Sequence, residues 1–229
     1  MPRIQAESNA AQRALTQRRI LDAFGELLFT RGLPGLTMTD VARQAGVGRT
    51  AVYNYYADME ELLIGYALDE TGRFLAELKA QLAGLENPID RLAVYIRAQV
   101  EDLSRRHLPP GPAMRAVLSP SSFAKLGDHV GELNMLLTGI LQDAMAEGYL
   151  PEADVDELVG LVHGSLTASA DRGREEEGAA AHDDEAERRT AATVRFIQLG
   201  VGARFDAEGR PVRGASGPAA SPSTSAGRR

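Results

Sequence analysis

Arg49, Thr50, Tyr53, Asn54 and Tyr55 fall within seven residues, directly after the turn-forming run Ala45-Gly46-Val47-Gly48. These side chains suit the reading of a duplex. A guanidinium grips guanine through two parallel hydrogen bonds, and threonine or tyrosine reaches a phosphate or lies against a thymine methyl. A short helix beginning at residue 49 adds its own free N–H groups and positive dipole end, which attract a phosphate. One tyrosine of the stretch is needed for the core. Tyr56 is favoured for that place, while Tyr53 can pack its ring and still present its hydroxyl.

Other chemistry has less support. His107, His129, His163 and His182 lie on separate elements, and no pair has the i, i+4 spacing with a carboxylate that a metal site needs, so no metal or other cofactor is expected. His163 sits on an otherwise apolar helix, as a core or interface polar group or as a ligand-orienting one. Ser165 and Ser169 have no histidine and aspartate placed to complete a triad. The acidic run Glu175 to Glu177 with Asp183 and Asp184 reads as a solvated loop. Cysteine is absent, which removes disulfides and thiolate chemistry. No catalytic constellation emerges.

The elements that must hold residues 49–55 are helical. Ile20, Ala23, Phe24, Leu27 and Leu28 recur at helical spacing and place one apolar face on a helix over 10–31, closed by Gly32. Thr37 with Asp40 resembles a capping box in front of a helix carrying Val41, Ala42 and Ala45. Gly46 stops that helix and supplies the backbone freedom a tight turn needs. Val47 packs inward, and Gly48 caps a helix over 49–56. Three short helices with this turn form a helix-turn-helix.

Asp58 and Glu61 then cap a long helix over 59–82. Further helices are predicted at 88–105, 113–118, 119–147, 154–171 and 185–201, separated by proline and glycine breaks. The expected fold class is all-α, with about nine helices. A helix-turn-helix domain with a flexible N-terminal arm occupies 1–57, a second helical domain 58–205, and a disordered Gly/Pro/Ala/Ser-rich tail 206–229.

The 229 residues carry a net charge of −7, which at first argues against nucleic acid. The distribution reverses that reading. Residues 1–57 hold seven arginines (Arg3, Arg13, Arg18, Arg19, Arg31, Arg43, Arg49) against four acids, a net +3 that leaves −10 for the rest. A basic module on an acidic body suits a DNA-binding regulator. With no long apolar run, no secretory signal pattern and no cysteine, the expectation is a cytoplasmic protein without membrane association.

The run TMTDVARQAGVGRTAVYNYYADMEELL, Thr37 to Leu63, resembles the signature of the tetracycline-repressor (TetR) family, and Arg19 to Phe24 through Gly32 resembles that family's first helix. The specific matches cover about residues 16–64. The resemblance implies DNA contacts at Thr37, Thr39, Arg49, Thr50, Tyr53 and Tyr55, to which Asn54 is added from its place on the same helix. Two positions depart from the pattern. Met59 stands where the family commonly has a phosphate-binding lysine, a loss that Arg3, Arg13, Arg18 or Arg19 can offset. Gly48 stands in place of the usual serine cap.

The resemblance further implies a homodimer joined by its last two helices, with Leu158, Val159, Leu161, Val162, Leu166, Val194, Ile197 and Leu199 as interface candidates. An effector pocket is expected among the middle helices, with Tyr66, Tyr95, Gln99, Met114, Phe123, Asn134, Met135 and His163 as lining candidates, each also readable as a core group. The partners implied are double-stranded operator DNA and a small-molecule effector. The acidic second domain favours a neutral or cationic effector over an anion. The expected function is a ligand-responsive repressor and not an enzyme. Two other readings stand beside it: a helical dimeric adaptor whose DNA binding has decayed, with Met59 as its first symptom, and a helical enzyme.

Overall fold

The computed structural model describes residues 2–105, 118–176 and 183–214. Among them are eight helices: α1 (Pro2–Arg31), α2 (Met38–Ala45), α3 (Arg49–Tyr53), α4 (Met59–Leu82), α5 (Pro88–Arg105), α6 (Pro120–Ala146), α7 (Val155–Glu176) and α8 (Asp183–Gly200). A two-stranded antiparallel hairpin follows, β1 (Arg204–Phe205) and β2 (Pro211–Val212), pairing Arg204 with Val212 and Phe205 with Pro211. The architecture is all-α apart from that hairpin. Most of the helix expected at 113–118, together with His107, Met114 and His182, lies outside the described residues. No helix among the described residues is long and apolar enough to cross a membrane.

The chain divides into two compact units, residues 1–83 with 98–136, and residues 84–97 with the chain from 137 onward. In the first unit the predicted stripe of α1, Ile20, Ala23, Phe24, Leu27 and Leu28, is buried together with Val41, Ala42 and Ala45 of α2 and with Val52. The first unit runs past the boundary expected at 57/58. Leu62, Leu63, Ile64 and Ala67 of α4 belong to the same apolar cluster, because one long helix with the short α2 and α3 presents too little surface to enclose a core. In the second unit, Ile89, Leu92, Tyr95 and Ile96 of α5, Leu137, Ile140 and Leu141 of α6, Val162 and Leu166 of α7, and Val194 and Ile197 of α8 are buried. Gln198 donates to the carbonyl of Ile89 at 3.1 Å, and Ser169 and Thr193 share a 2.9 Å hydroxyl contact.

Several boundaries differ from expectation. α1 starts at Pro2, where an arm was expected; residues 2–9 have no apolar stripe to betray a helix, and proline suits a first turn. α3 ends at Tyr53, with Asn54 as its C-cap. α7 runs on to Glu176, into the stretch read as a loop. Residues 206–214, expected to be disordered, are ordered by Asp206. Its carboxylate accepts the N–H groups of Glu208 and Arg210 at 3.0 and 2.8 Å, and Gly209 takes a φ of +81° in the turn. The Gly214 N–H then donates to the Gly148 carbonyl at 2.8 Å.

Two glycines of α4 make the packing testable. A Cβ at Gly65 would lie 2.6 Å from Cε1 of the buried Tyr56 ring, whereas one at Gly72 would meet nothing within 4 Å. Overpacking costs about 1–3 kcal/mol, against about 1 kcal/mol that alanine regains in a helix. Urea denaturation should therefore show Gly65→Ala neutral to destabilising by about 2 kcal/mol. Gly72→Ala should stabilise by about 1 kcal/mol.

Candidate nucleic-acid interface

The exposed polar face of α3 is held from both ends. Before it, the capping box at α2 is complete. The Thr37 hydroxyl accepts the Asp40 N–H at 3.2 Å, and the Asp40 carboxylate accepts the Thr37 N–H at 3.1 Å. The Thr37 hydroxyl also hydrogen-bonds that carboxylate, and this bond is the main cause holding the Asp40 pKa below the usual aspartate value. Gly46 takes the left-handed conformation, φ +63°, as the turn requires, and Gly48 is an extended N-cap without a side-chain bond. Arg19 reaches across from α1 and donates to the carbonyls of Ala45 and Gly46 at 2.8 and 3.4 Å, tying down the end of α2. Behind α3, Tyr56 is buried, its hydroxyl accepts from Gln17 Nε2 at 3.1 Å, and burial raises its pKa.

On this frame Thr39, Arg49, Thr50, Tyr53 and Asn54 are exposed, as is Thr37 at the start of α2. The Arg49 guanidinium lies over the Tyr53 ring, 5.5 Å from its centroid, so the two side chains present one amphipathic plate. Tyr55 is half-buried. Its hydroxyl donates to the Arg13 carbonyl at 3.1 Å, and the Arg13 guanidinium lies over its ring at 5.2 Å. Met59, in the position usually occupied by a lysine, is half-buried against the core, beside Leu33 and Leu63. Of the arginines suggested as substitutes for that lysine, Arg18 is paired with Asp69 at 2.7 Å and Asp22 at 3.4 Å, and Arg19 is spent on the turn. The Arg3 side chain lies outside the described residues.

The effector candidates fall in both units. Tyr66 packs edge-on against Phe24, with ring centroids 5.5 Å apart, and is part of the N-terminal core. Tyr95 is fully buried, and its hydroxyl meets His163 Nε2 at 3.1 Å; burial lowers the His163 pKa, so that imidazole is neutral at pH 7. Gln99 is buried. Asn134 keeps a buried Oδ1 without a hydrogen-bond partner. Met135 is 68% exposed and is not a lining group. Met114 and the Phe123 side chain lie outside the described residues. No group of three or more potential metal ligands occurs among the described residues.

The interface candidates divide by helix face. Val162, Leu166, Val194 and Ile197 are buried within the protomer, because the Val162–Leu166–Ser169 stripe of α7 turns to the unit's own core; they are withdrawn as interface residues. Leu158 and Val159 are half-buried, while Leu161 and Leu199 are 61% and 52% exposed. The sequence reading missed Phe196, which is 67% exposed and lines a groove between α7 and α8 with Ser165, Ala168 and Thr193. Its helical spacing from Leu199 was the available signal.

A second missed feature joins the start of α4 to the start of α6. Leu118 is buried in the core cluster of the first unit, and the next residue, Ser119, donates its N–H to Glu60 at 2.8 Å. The Ser119 and Ser122 hydroxyls add hydrogen bonds that hold the Glu60 pKa at about 2.

Comparison with known proteins agrees with this geometry. Residues 20–65 match the family model for bacterial regulatory proteins, tetR family. The HTH-type transcriptional regulator AlkX of Mycobacterium tuberculosis is 40% identical over 72 residues, 31% of this chain and 34% of AlkX. The chain thus spans about a third of that relative's length. The HTH-type transcriptional repressor KstR2 of the same species is 24% identical over 155 residues, covering 66% of this chain and 77% of KstR2. In fold, the chain is similar to the transcriptional regulator FadR of Bacillus subtilis in complex with stearoyl-CoA, with a TM-score of 0.66, 20% identity, and 82% and 99% of the two chains covered. Residues 20–65 thus carry the helix-turn-helix module of the tetR family.

Glu60 permits a pH test. Its folded pKa is depressed from 4.5 to about 2, so the stability it contributes is full above the unfolded value and is lost as pH falls through the folded one. The difference in urea midpoint between the wild type and Glu60→Gln should be constant above about pH 5 and shrink as the pH falls toward about 2.

Proposed function

We propose that this chain is a sequence-specific, ligand-responsive transcription regulator. It binds a palindromic operator as a homodimer, represses from it, and releases it when a small molecule binds. The observation that carries the reading is the exposure of Arg49, Thr50 and Tyr53 on α3 and of Asn54 at its C-cap, on a helix anchored by buried Val52. A packed scaffold presenting donors and acceptors on a short convex helix suits major-groove readout. The name of KstR2, a repressor, supports the sign of regulation.

Dimerisation is supported by Leu161, Phe196 and Leu199, whose exposure on α7 and α8 suits burial against the same helices of a second copy. Two modules so joined read half-sites about one helical turn apart, ~34–36 Å, and an effector preferring a different spacing shifts the population off DNA. The effector is inferred to have an apolar body with few polar groups. The stearoyl-CoA held by the B. subtilis protein supports an apolar chain, and the unpartnered Asn134 Oδ1 supports a hydrogen-bond donor on the molecule.

Genomic fragments selected on the protein at about 150 mM salt, where non-specific binding is weak, test the reading. A palindrome is expected, with enrichment lost for Arg49→Ala and reduced by an order of magnitude or more for Tyr53→Ala, about 1–3 kcal/mol per good base contact. A second reading, a dimeric adaptor without operator recognition, is favoured by one observation, the inward-facing Met59. It predicts no enriched sequence with or without cell extract.

A further inference from the structure

Three acids crowd the start of α4. Asp58 caps the helix through the Glu61 N–H, Glu61 accepts the Ala57 N–H, and Glu60 holds Ser119, while Met59 between them faces the core. Among the described residues, no basic side chain pairs with these three acids, so a phosphate passing this corner meets negative charge. The compensating positive charge must come from elsewhere in the module. Arg18 and Arg19 are engaged as described, and Arg43 is paired with Asp40. Arg31, at the far end of α1, lies near enough to Asp40 to help lower its pKa. Arg13 differs from these. It is exposed, with no carboxylate within ion-pair distance among the described residues.

Arg13 is also held in place. Tyr55 grips it twice, by the hydroxyl on its carbonyl and by the ring beneath its guanidinium. Tyr55 lies two residues beyond α3, so the grip fixes a cation beside the C-terminal end of the helix whose other exposed residues read bases. Stacking on the ring limits the rotamers of a long side chain while leaving its N–H fork open, and that fork matches a phosphate. The arrangement repeats the Arg49–Tyr53 plate, with the guanidinium at 5.5 Å there and 5.2 Å here.

We propose that Arg13, positioned by Tyr55, binds a DNA-backbone phosphate in each half-site and supplies the contact that Met59 does not. The proposal rests on the regulator reading. Each phosphate contact contributes a slope of about −0.9 to log K against log salt. On the selected operator, Arg13→Gln should therefore flatten the slope by about two for the dimer, leave the preferred sequence unchanged, and weaken binding most at low salt. Arg13→Lys, which keeps the charge, should retain the wild-type slope. A wild-type slope in Arg13→Gln, while Arg49→Ala still abolishes sequence preference, overturns the Arg13 assignment and leaves the regulator reading standing. An absence of operator binding by the wild type overturns both.

Discussion

A helix of five residues cannot hold itself in water, where isolated helices shorter than about 12–15 residues are marginal. α3 contributes only Val52 to the buried core. Its conformation is therefore imposed from outside. Gly46 turns the chain, Arg19 fastens the carbonyls of that turn to α1, and Tyr56 drives into the core against a glycine of α4. Because these groups fix the backbone, none of Arg49, Thr50, Tyr53 or Asn54 has to pack, and all four remain exposed. Readout needs this separation between residues that hold a helix and residues that face a groove.

The same constraint explains why α4 belongs with the first unit. Its leucines close the core beneath α3, so any displacement of α4 disturbs the support of that helix. Leu118 and the Glu60–Ser119 bond attach the start of α6 to this core. An effector that moved α6 would thereby act on the element that braces α3. Population shift then requires only that the effector favour one position of that brace over the other.

The module was legible because its signals are local. Helical periodicity marked the α1 stripe, the Thr37–Asp40 spacing marked the capping box, and the glycine of the Ala45–Gly48 turn marked the left-handed residue; each has the predicted role. The choice of Tyr56 over Tyr53 as the core ring also holds. What escaped depends on contacts distant in sequence. Arg19 was read as a spare cation because nothing local ties it to residue 45. The Tyr55–Arg13 grip spans 42 positions, and Glu60–Ser119 spans 59. On α7 and α8 apolar residues occur on both faces, so periodicity alone did not separate Val162 and Leu166, turned inward, from Leu161 and Phe196, turned out. The hairpin escaped because its order comes from one aspartate side chain, not from an apolar pattern.

The central claim is that α3 reads DNA as one of a symmetric pair. Hydroxyl-radical footprinting on a selected operator tests it most directly. The account predicts two equivalent protected patches on one face of the duplex, centred about one helical turn or a multiple of it apart, both lost with Arg49→Ala. A single patch, or protection that survives Arg49→Ala, would contradict it.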